Sequence, residues 1–137
     1  MKKILFAICL FYSFSVCAKI DCEDAGGQRF QGVSGASYCR ADPDKIVEMN
    51  WWSAWAWCDA VGGELFNLKD CSHGAKPNKM CPEFKGSSMP YVYYWTQNAD
   101  TTGKAVQYNW VYESSAYKDD ISYVNKNGFG RPLCKLK

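Results

Sequence analysis

Asn50-Trp51-Trp52-Ser53-Ala54-Trp55-Ala56-Trp57-Cys58-Asp59-Ala60-Val61-Gly62-Gly63-Glu64-Leu65 is the stretch on which the fold turns. Asn50 is a helix-capping residue standing directly before Trp51. Trp51, Ala54 or Trp55, Cys58 and Val61 then recur at helical spacing. Gly62 and Gly63 end the run, because glycine accepts the left-handed conformation that follows a helix. The helix predicted here is apolar nearly all round, so deep packing is expected of it.

Outward from this helix the chain is read as strands and loops. Leu65 to Leu68 is expected as a short buried strand or extended segment, and Ser37 to Arg40 as another strand, followed by a turn at Ala41-Asp42-Pro43-Asp44. Lys45 to Met49 is compatible with strand or loop. Tyr91, Tyr93 and Trp95 alternate along one strand, and Tyr108, Trp110 and Tyr112 along a second. Asn98 to Gly103 between them has turn chemistry, which makes a hairpin with an aromatic face. A second hairpin is expected from Ile121–Val124 and Phe129–Lys135, around Asn125-Lys126-Asn127-Gly128, with Pro132 on an edge or at a bulge. Lys19 to Gly35 is polar and glycine-bearing and reads as an extension with a loop.

The first 18 residues have the order of a secretory signal: two lysines, an apolar run from Ile4 to Tyr12, then Val16-Cys17-Ala18. That run is shorter than the roughly 20 residues a bilayer span needs, and no later stretch reaches that length. Without the signal, 119 of the 137 residues remain, and 14 basic residues balance 14 acidic ones. A net charge of zero argues against a nucleic-acid binder and against polybasic attraction to membranes. The size suits one domain with a modest core. Residues 1–18 are thus expected as signal peptide, 19–36 as an N-terminal extension and 37–137 as the domain, in a protein exported to the periplasm or beyond.

Six cysteines remain after the signal: Cys22, Cys39, Cys58, Cys71, Cys81 and Cys134. An even count in a small exported domain reads as three disulfides, and their spacing leaves fifteen pairings open. A Cys71–Cys81 bridge would staple the irregular, proline-bearing loop between those residues. Zinc is the competing reading, but there is no Cys-x-x-Cys pair and His73 is the single histidine.

Trp51, Ala54, Cys58, Gly62 and Leu65 fall at successive spacings of three, four, four and three. This pattern resembles the first-helix signature of the C-type lectin-like domain superfamily, here a compact bacterial-type member. Tyr94-Trp95-Thr96 resembles the aromatic core strand of that family. The resemblance covers Ser37 to Lys137 and implies an α+β fold, a helix packed on short antiparallel strands and stapled by disulfides. It implies a Cys58–Cys134 bridge from the helix to the last strand, and a Cys22–Cys39 bridge like the extra N-terminal pair of longer members. A Cys58–Cys134 bridge closes 77 residues, which chain-entropy reasoning values at roughly 4–5 kcal/mol.

The calcium-dependent sugar site of the family does not carry over. Neither Glu-Pro-Asn nor Gln-Pro-Asp occurs, Lys76-Pro77-Asn78 lacks the carboxylate, and Asn109-Trp110 reverses the order of the family's Trp-Asn-Asp. Only 38 residues separate Trp95 from Cys134, which is short for the family's long loop. No metal and no cofactor are expected.

Catalytic candidates are sparse. His73 has nothing beyond loop serines such as Ser72 for a partner and reads as a surface histidine. Glu113, Asp119, Asp120 and Asp100 read as solvated loop and turn acids rather than a glycosidase pair or a calcium cluster. With the cysteines oxidised, thiol catalysis is removed, so no catalytic residue is expected. The aromatics are the stronger signal, with six Trp, eight Tyr and four Phe after the signal. Such rings stack on sugar faces or pack in a core. Trp95, Trp51 and Trp55 read as core. Tyr93, Asn109, Trp110 and Tyr112 are the expected ligand-binding set, on the Trp95–Trp110 hairpin and the loop before the last strand. The expected function is non-catalytic recognition of a glycan or protein surface, in the manner of an adhesion module. A structural subunit of an envelope or appendage complex is the alternative, and a small secreted cell-wall enzyme a lesser one.

Overall fold

The structure is a computed structural model that describes residues 18–71, 81–84, 92–100, 102–113 and 116–137. The expected signal peptide (apart from Ala18), His73, Lys76-Pro77-Asn78 and Tyr91 lie outside the described residues. The described residues form a small α+β domain: one α-helix, a mostly antiparallel sheet and three disulfides. No described helix is long and apolar enough to cross a membrane.

Helix α1 spans Trp51–Ala60. The Asn50 side chain caps it by accepting the Ser53 N–H at 2.9 Å. At the other end Gly62 takes φ +78°, the left-handed conformation that stops a helix, and its N–H donates to the Asp59 carbonyl. The expected deep packing holds on one face only. Trp51, Ala54 and Cys58 are buried, whereas Trp52 on the far side is 58% exposed. An apolar composition all round does not bury a helix that meets the rest of the fold on a single side.

The strands are β1 (Gly27–Gln31), β2 (Ser37–Ala41), β3 (Gly63–Leu65), β4 (Tyr94–Ala99), β5 (Lys104–Glu113), β6 (Ala116–Asn125) and β7 (Arg131–Leu136). Their order is β1-β2-β7-β4-β5-β6, with β3 also paired to β7. One edge of β7 takes β2, with Cys39 opposite Cys134. Its other edge takes β4 in parallel at Arg131 and Pro132, then β3 from Cys134 to Leu136. β4, β5 and β6 form an antiparallel meander, in which Tyr94 faces Tyr108 and Lys104 faces Asn125.

Several expectations change here. Gly27–Gln31, read as loop, is the edge strand of a hairpin with β2. Its polar residues hid it, because an edge strand with one wet face needs few apolar ones. The second hairpin does not form: β6 pairs with β5 rather than with β7. β7 instead enters the middle of the sheet, where Leu133 and Cys134 are both fully buried. Pro132 is therefore in a central strand, not on an edge. It precedes the β2 ladder, which runs over Leu133, Cys134 and Lys135, so its missing N–H falls where no ladder bond is made to β2. The short strand after the helix is Gly63–Leu65, and Leu68–Asp70 is a 3₁₀ turn.

Neighbouring residues of the central strands serve opposite faces, as the two-residue period of a strand requires. Cys39, Trp95 and Cys134 join Trp51, Ala54 and Cys58 of the helix in one core. Tyr38, Tyr94 and Leu133, each one residue earlier, join Phe66, Phe84 and Tyr108 in another. Two indoles bolt the helix start to the sheet: Trp51 Nε1 donates to the Thr96 carbonyl at 2.8 Å, and Trp95 Nε1 donates to the Met49 carbonyl at 2.7 Å.

The disulfides join Cys22 to Cys39, Cys58 to Cys134 and Cys71 to Cys81, which is the expected pairing. Bridges of this kind persist in an oxidising compartment. Cys58–Cys134 spans 76 positions in sequence and Cys71–Cys81 spans 10. Chain entropy values the first at about 4.5 kcal/mol and the second at about 3 kcal/mol. Replacing each pair by alanine is expected to follow that order. Denaturant unfolding of the two double variants checks it.

A buried carboxylate closes the aromatic face. Glu83, 8% exposed in the 3₁₀ turn Pro82–Phe84, accepts the Ser34 hydroxyl at 2.6 Å, the Ser34 N–H at 3.2 Å and the Tyr38 hydroxyl at 3.1 Å. Burial, and then the Glu83 charge, push the Tyr38 hydroxyl well above its ordinary range. Gly32 leaves room for this contact, since a Cβ there would run into the Glu83 carboxylate. Glu83→Leu strands the buried Tyr38 hydroxyl and also removes two bonds to the exposed Ser34, and is expected to cost about 2–3 kcal/mol, whereas Tyr38→Phe removes one bond for about 1 kcal/mol. Urea titration of the oxidised protein distinguishes the two.

Candidate functional site

The β4–β5 hairpin ends in a turn organised by Asp100. Its Oδ1 accepts the N–H groups of Thr102 and Lys104, both at 3.0 Å, and its Oδ2 accepts the Thr102 hydroxyl at 2.7 Å. These bonds, the Thr102 hydroxyl first, hold the Asp100 carboxyl below its ordinary value of 3.8. Gly103 follows at φ +84°, which lets the chain reverse.

Beside this turn lies an open cleft of about 450 Å³. Asn67, Lys69, Gln97, Asn98, Asp100 and Tyr123 line it. Four elements meet there: the segment after β3, the end of β4, the start of β5 at Val106 and the end of β6. The Gln97 N–H donates to the Phe66 carbonyl at 2.8 Å, which ties β4 to the segment carrying Asn67 and Lys69. Tyr123 stands opposite Val106 in the β5–β6 ladder and is 66% exposed, so one ring face is open to a ligand.

The orientation of the amides follows from their backbone partners. The Leu68 N–H donates to Asn98 Oδ1 at 2.9 Å, and the Lys69 N–H donates to Asn67 Oδ1 at 3.0 Å. A backbone N–H can only meet an oxygen, so both side-chain nitrogens point the other way. Asn67 Nδ2 then donates to Gln97 Oε1 at 3.0 Å, which sets Gln97 as well. Among the described residues, the Gln97 and Asn98 amide nitrogens, the Lys69 ammonium and the Tyr123 hydroxyl bond to no protein group.

Of the residues expected to bind ligand, Tyr93 and Asn109 do not line this cleft. Tyr93 is half-buried, and its carbonyl accepts the Arg131 N–H at 3.0 Å where β4 meets β7. Asn109 is fully buried in β5, and neither of its polar side-chain atoms has a hydrogen-bond partner among the described residues. Asn109 is two and four positions from Gln107 and Ala105, hence on the inner face they share, and offers no exposed contact. The side chains of Trp110, Tyr112, Glu113, Asp119 and Asp120 lie outside the described residues. Trp95 is fully buried, as expected of a core residue. The hairpin expected to carry the site does reach the cleft, but through Gln97, Asn98 and Asp100. Sequence reasoning missed these amides, along with Asn67, Lys69 and Tyr123, because it followed aromatic rings. The signal it could have used is the run of polar residues that continues β4 past its aromatic core.

Chemically, the cleft offers one aromatic face, three kinds of donor and a carboxylate. Asp100 is the single carboxylate among the described lining residues, and both its oxygens accept bonds from the turn. Among the described residues, no three His, Cys, Asp or Glu side chains converge as a metal site would. The chain matches no family model, no curated protein and no solved structure.

The lowered value of Asp100 gives the hairpin turn a defined pH window. A carboxylate whose folded value is depressed contributes stability above its unfolded value, and that contribution is lost as pH falls through the folded value. The turn is therefore expected to stay formed at pH 3.8 and to loosen only below it. A carboxyl NMR titration of Asp100 should give a midpoint below 3.8, and Thr102→Val should move it upward. An unshifted midpoint in both proteins would show that the turn does not engage the carboxylate.

Proposed function

We propose that this chain is an exported, non-catalytic recognition module of C-type lectin-like fold, and that it binds a glycan through the cleft between Asn67 and Tyr123 without calcium. The fold part of this reading is supported by a helix bridged to a central last strand, and by the indole of Trp95 packed beneath that helix. The ligand part is carried by one observation: an open cleft where an exposed tyrosine ring stands beside amide donors that the protein leaves unused. Sugars present apolar ring faces to stack on aromatic rings and hydroxyl oxygens to accept from planar amides. A carboxylate tied into a turn suits binding rather than general acid–base work, which needs an acid free to exchange its proton.

A protein-docking role as an envelope or appendage subunit is the second reading. Trp52 at 58% exposure and Phe129 at 71% favour it, since large exposed rings are common anchors of protein interfaces.

The test is a broad glycan array probed with the oxidised chain, once with calcium and once with chelator. Binding is expected to survive chelation. Tyr123→Ala should weaken it by about 1.4 kcal/mol, roughly tenfold in Kd, while Tyr123→Phe retains it. Tyr123→Ala binding as tightly as the parent would move the site away from the cleft. Absence of any glycan binding would favour the docking role.

A further inference from the structure

If the cleft holds a glycan, its donor pattern also constrains which kind, and the choice of kind rests on that reading. Each amide oxygen in the cleft is already used: Asn67 Oδ1 by the Lys69 N–H, Asn98 Oδ1 by the Leu68 N–H, and Gln97 Oε1 by Asn67 Nδ2. The Asp100 oxygens accept three bonds from the turn. The groups left over are the Gln97 and Asn98 NH₂ groups and the exposed Lys69 ammonium, and all of them donate. The Tyr123 hydroxyl can do either. A neutral sugar presents hydroxyls, each a donor as well as an acceptor, and its donors would have to share amide oxygens that already accept one bond each. A carboxylate is acceptor-only, and its bonds to an ammonium and to amide N–H groups are charge-assisted.

We infer that the cleft selects glycans carrying carboxylates, of the uronic-acid class, over their neutral counterparts. The sugar ring lies against Tyr123, and its carboxylate takes Lys69 Nζ and the Gln97 and Asn98 amide nitrogens. Asp100 keeps its negative charge, but its oxygens are turned to the Thr102 and Lys104 donors of the turn, and the Lys69 ammonium stands among the cleft's lining groups to offset it.

The test compares oligogalacturonates with the same oligosaccharides after reduction of the carboxylates to primary alcohols, by calorimetry on the oxidised chain. Reduction is expected to weaken binding at least about tenfold, as loss of a charge-assisted contact would. Gln97→Glu keeps the oxygen that Asn67 needs and turns the free donor into an acceptor, so it should lose uronate binding by a similar factor with an unchanged Tm. Lys69→Gln should remove most of the preference while leaving the reduced sugar's affinity as it was. Equal or tighter binding of the reduced oligosaccharide overturns the inference. So does binding of neutral glycans alone, and in both cases the glycan reading stands. Failure to bind any glycan, acidic or neutral, overturns the inference and the glycan reading together.

Discussion

The attachment of helix α1 to strand β7 through Cys58–Cys134 is the constraint on which the rest depends. β7 is the one strand that pairs with three others, and Cys134 lies opposite Cys39 of β2 and Leu65 of β3. A covalent bond at that point fixes the helix over the place where the sheet's halves meet. The Cys22–Cys39 bridge sits in the same core, so two disulfides pack against each other's strands rather than stapling peripheral loops. For a domain of this size such cross-links reduce what the apolar core has to supply.

The helix is also held by hydrogen bonds that a large core would not need. Trp51 and Trp95 give their indole N–H groups to backbone carbonyls across the helix–sheet boundary, and Trp57 gives its own to Ala25 at 3.3 Å. Much of the aromatic content is thus structural. The Lys126 ammonium caps the exposed side, 4.6 Å from the Trp51 ring centroid and 5.2 Å from that of Trp52. Cation–π contact covers part of the exposed Trp52 ring beside the buried Trp51. The open cleft lies at the other end of the sheet, where β4 runs past β7 and its polar residues meet the segment after β3.

At that meeting place the polar lining of the cleft comes from satisfying the backbone. The 3₁₀ turn at Leu68–Asp70 leaves N–H groups without helical partners, and Asn67 and Asn98 satisfy two of them. In doing so Asn98 turns its nitrogen away from the turn, while Asn67 gives its own to Gln97 Oε1 and so leaves the Gln97 nitrogen as the free end. The donor-rich character of the cleft is a consequence of capping a short turn, and it stays constant as long as the turn does.

The sequence by itself determined the elements whose signals are local. Asn50 and Gly62 bound the helix because capping and left-handed φ are properties of single residues. Trp95 reads as core through its match to the family's core strand, and the three disulfides are legible as an even count of cysteines, with the full pairing likewise reached through the resemblance. Only the tertiary structure decided what depends on partners distant in the chain. Asn127-Gly128 marks a turn in either topology, but whether β7 folds back on β6 or crosses to β2 and β4 depends on which surface buries Leu133 and Cys134. Asn109 looked like a contact residue until β5 was placed between two neighbours that bury it. Gln97, Asn67 and Tyr123 come from three separate segments, and no periodicity within one segment can announce a cleft that exists only between them.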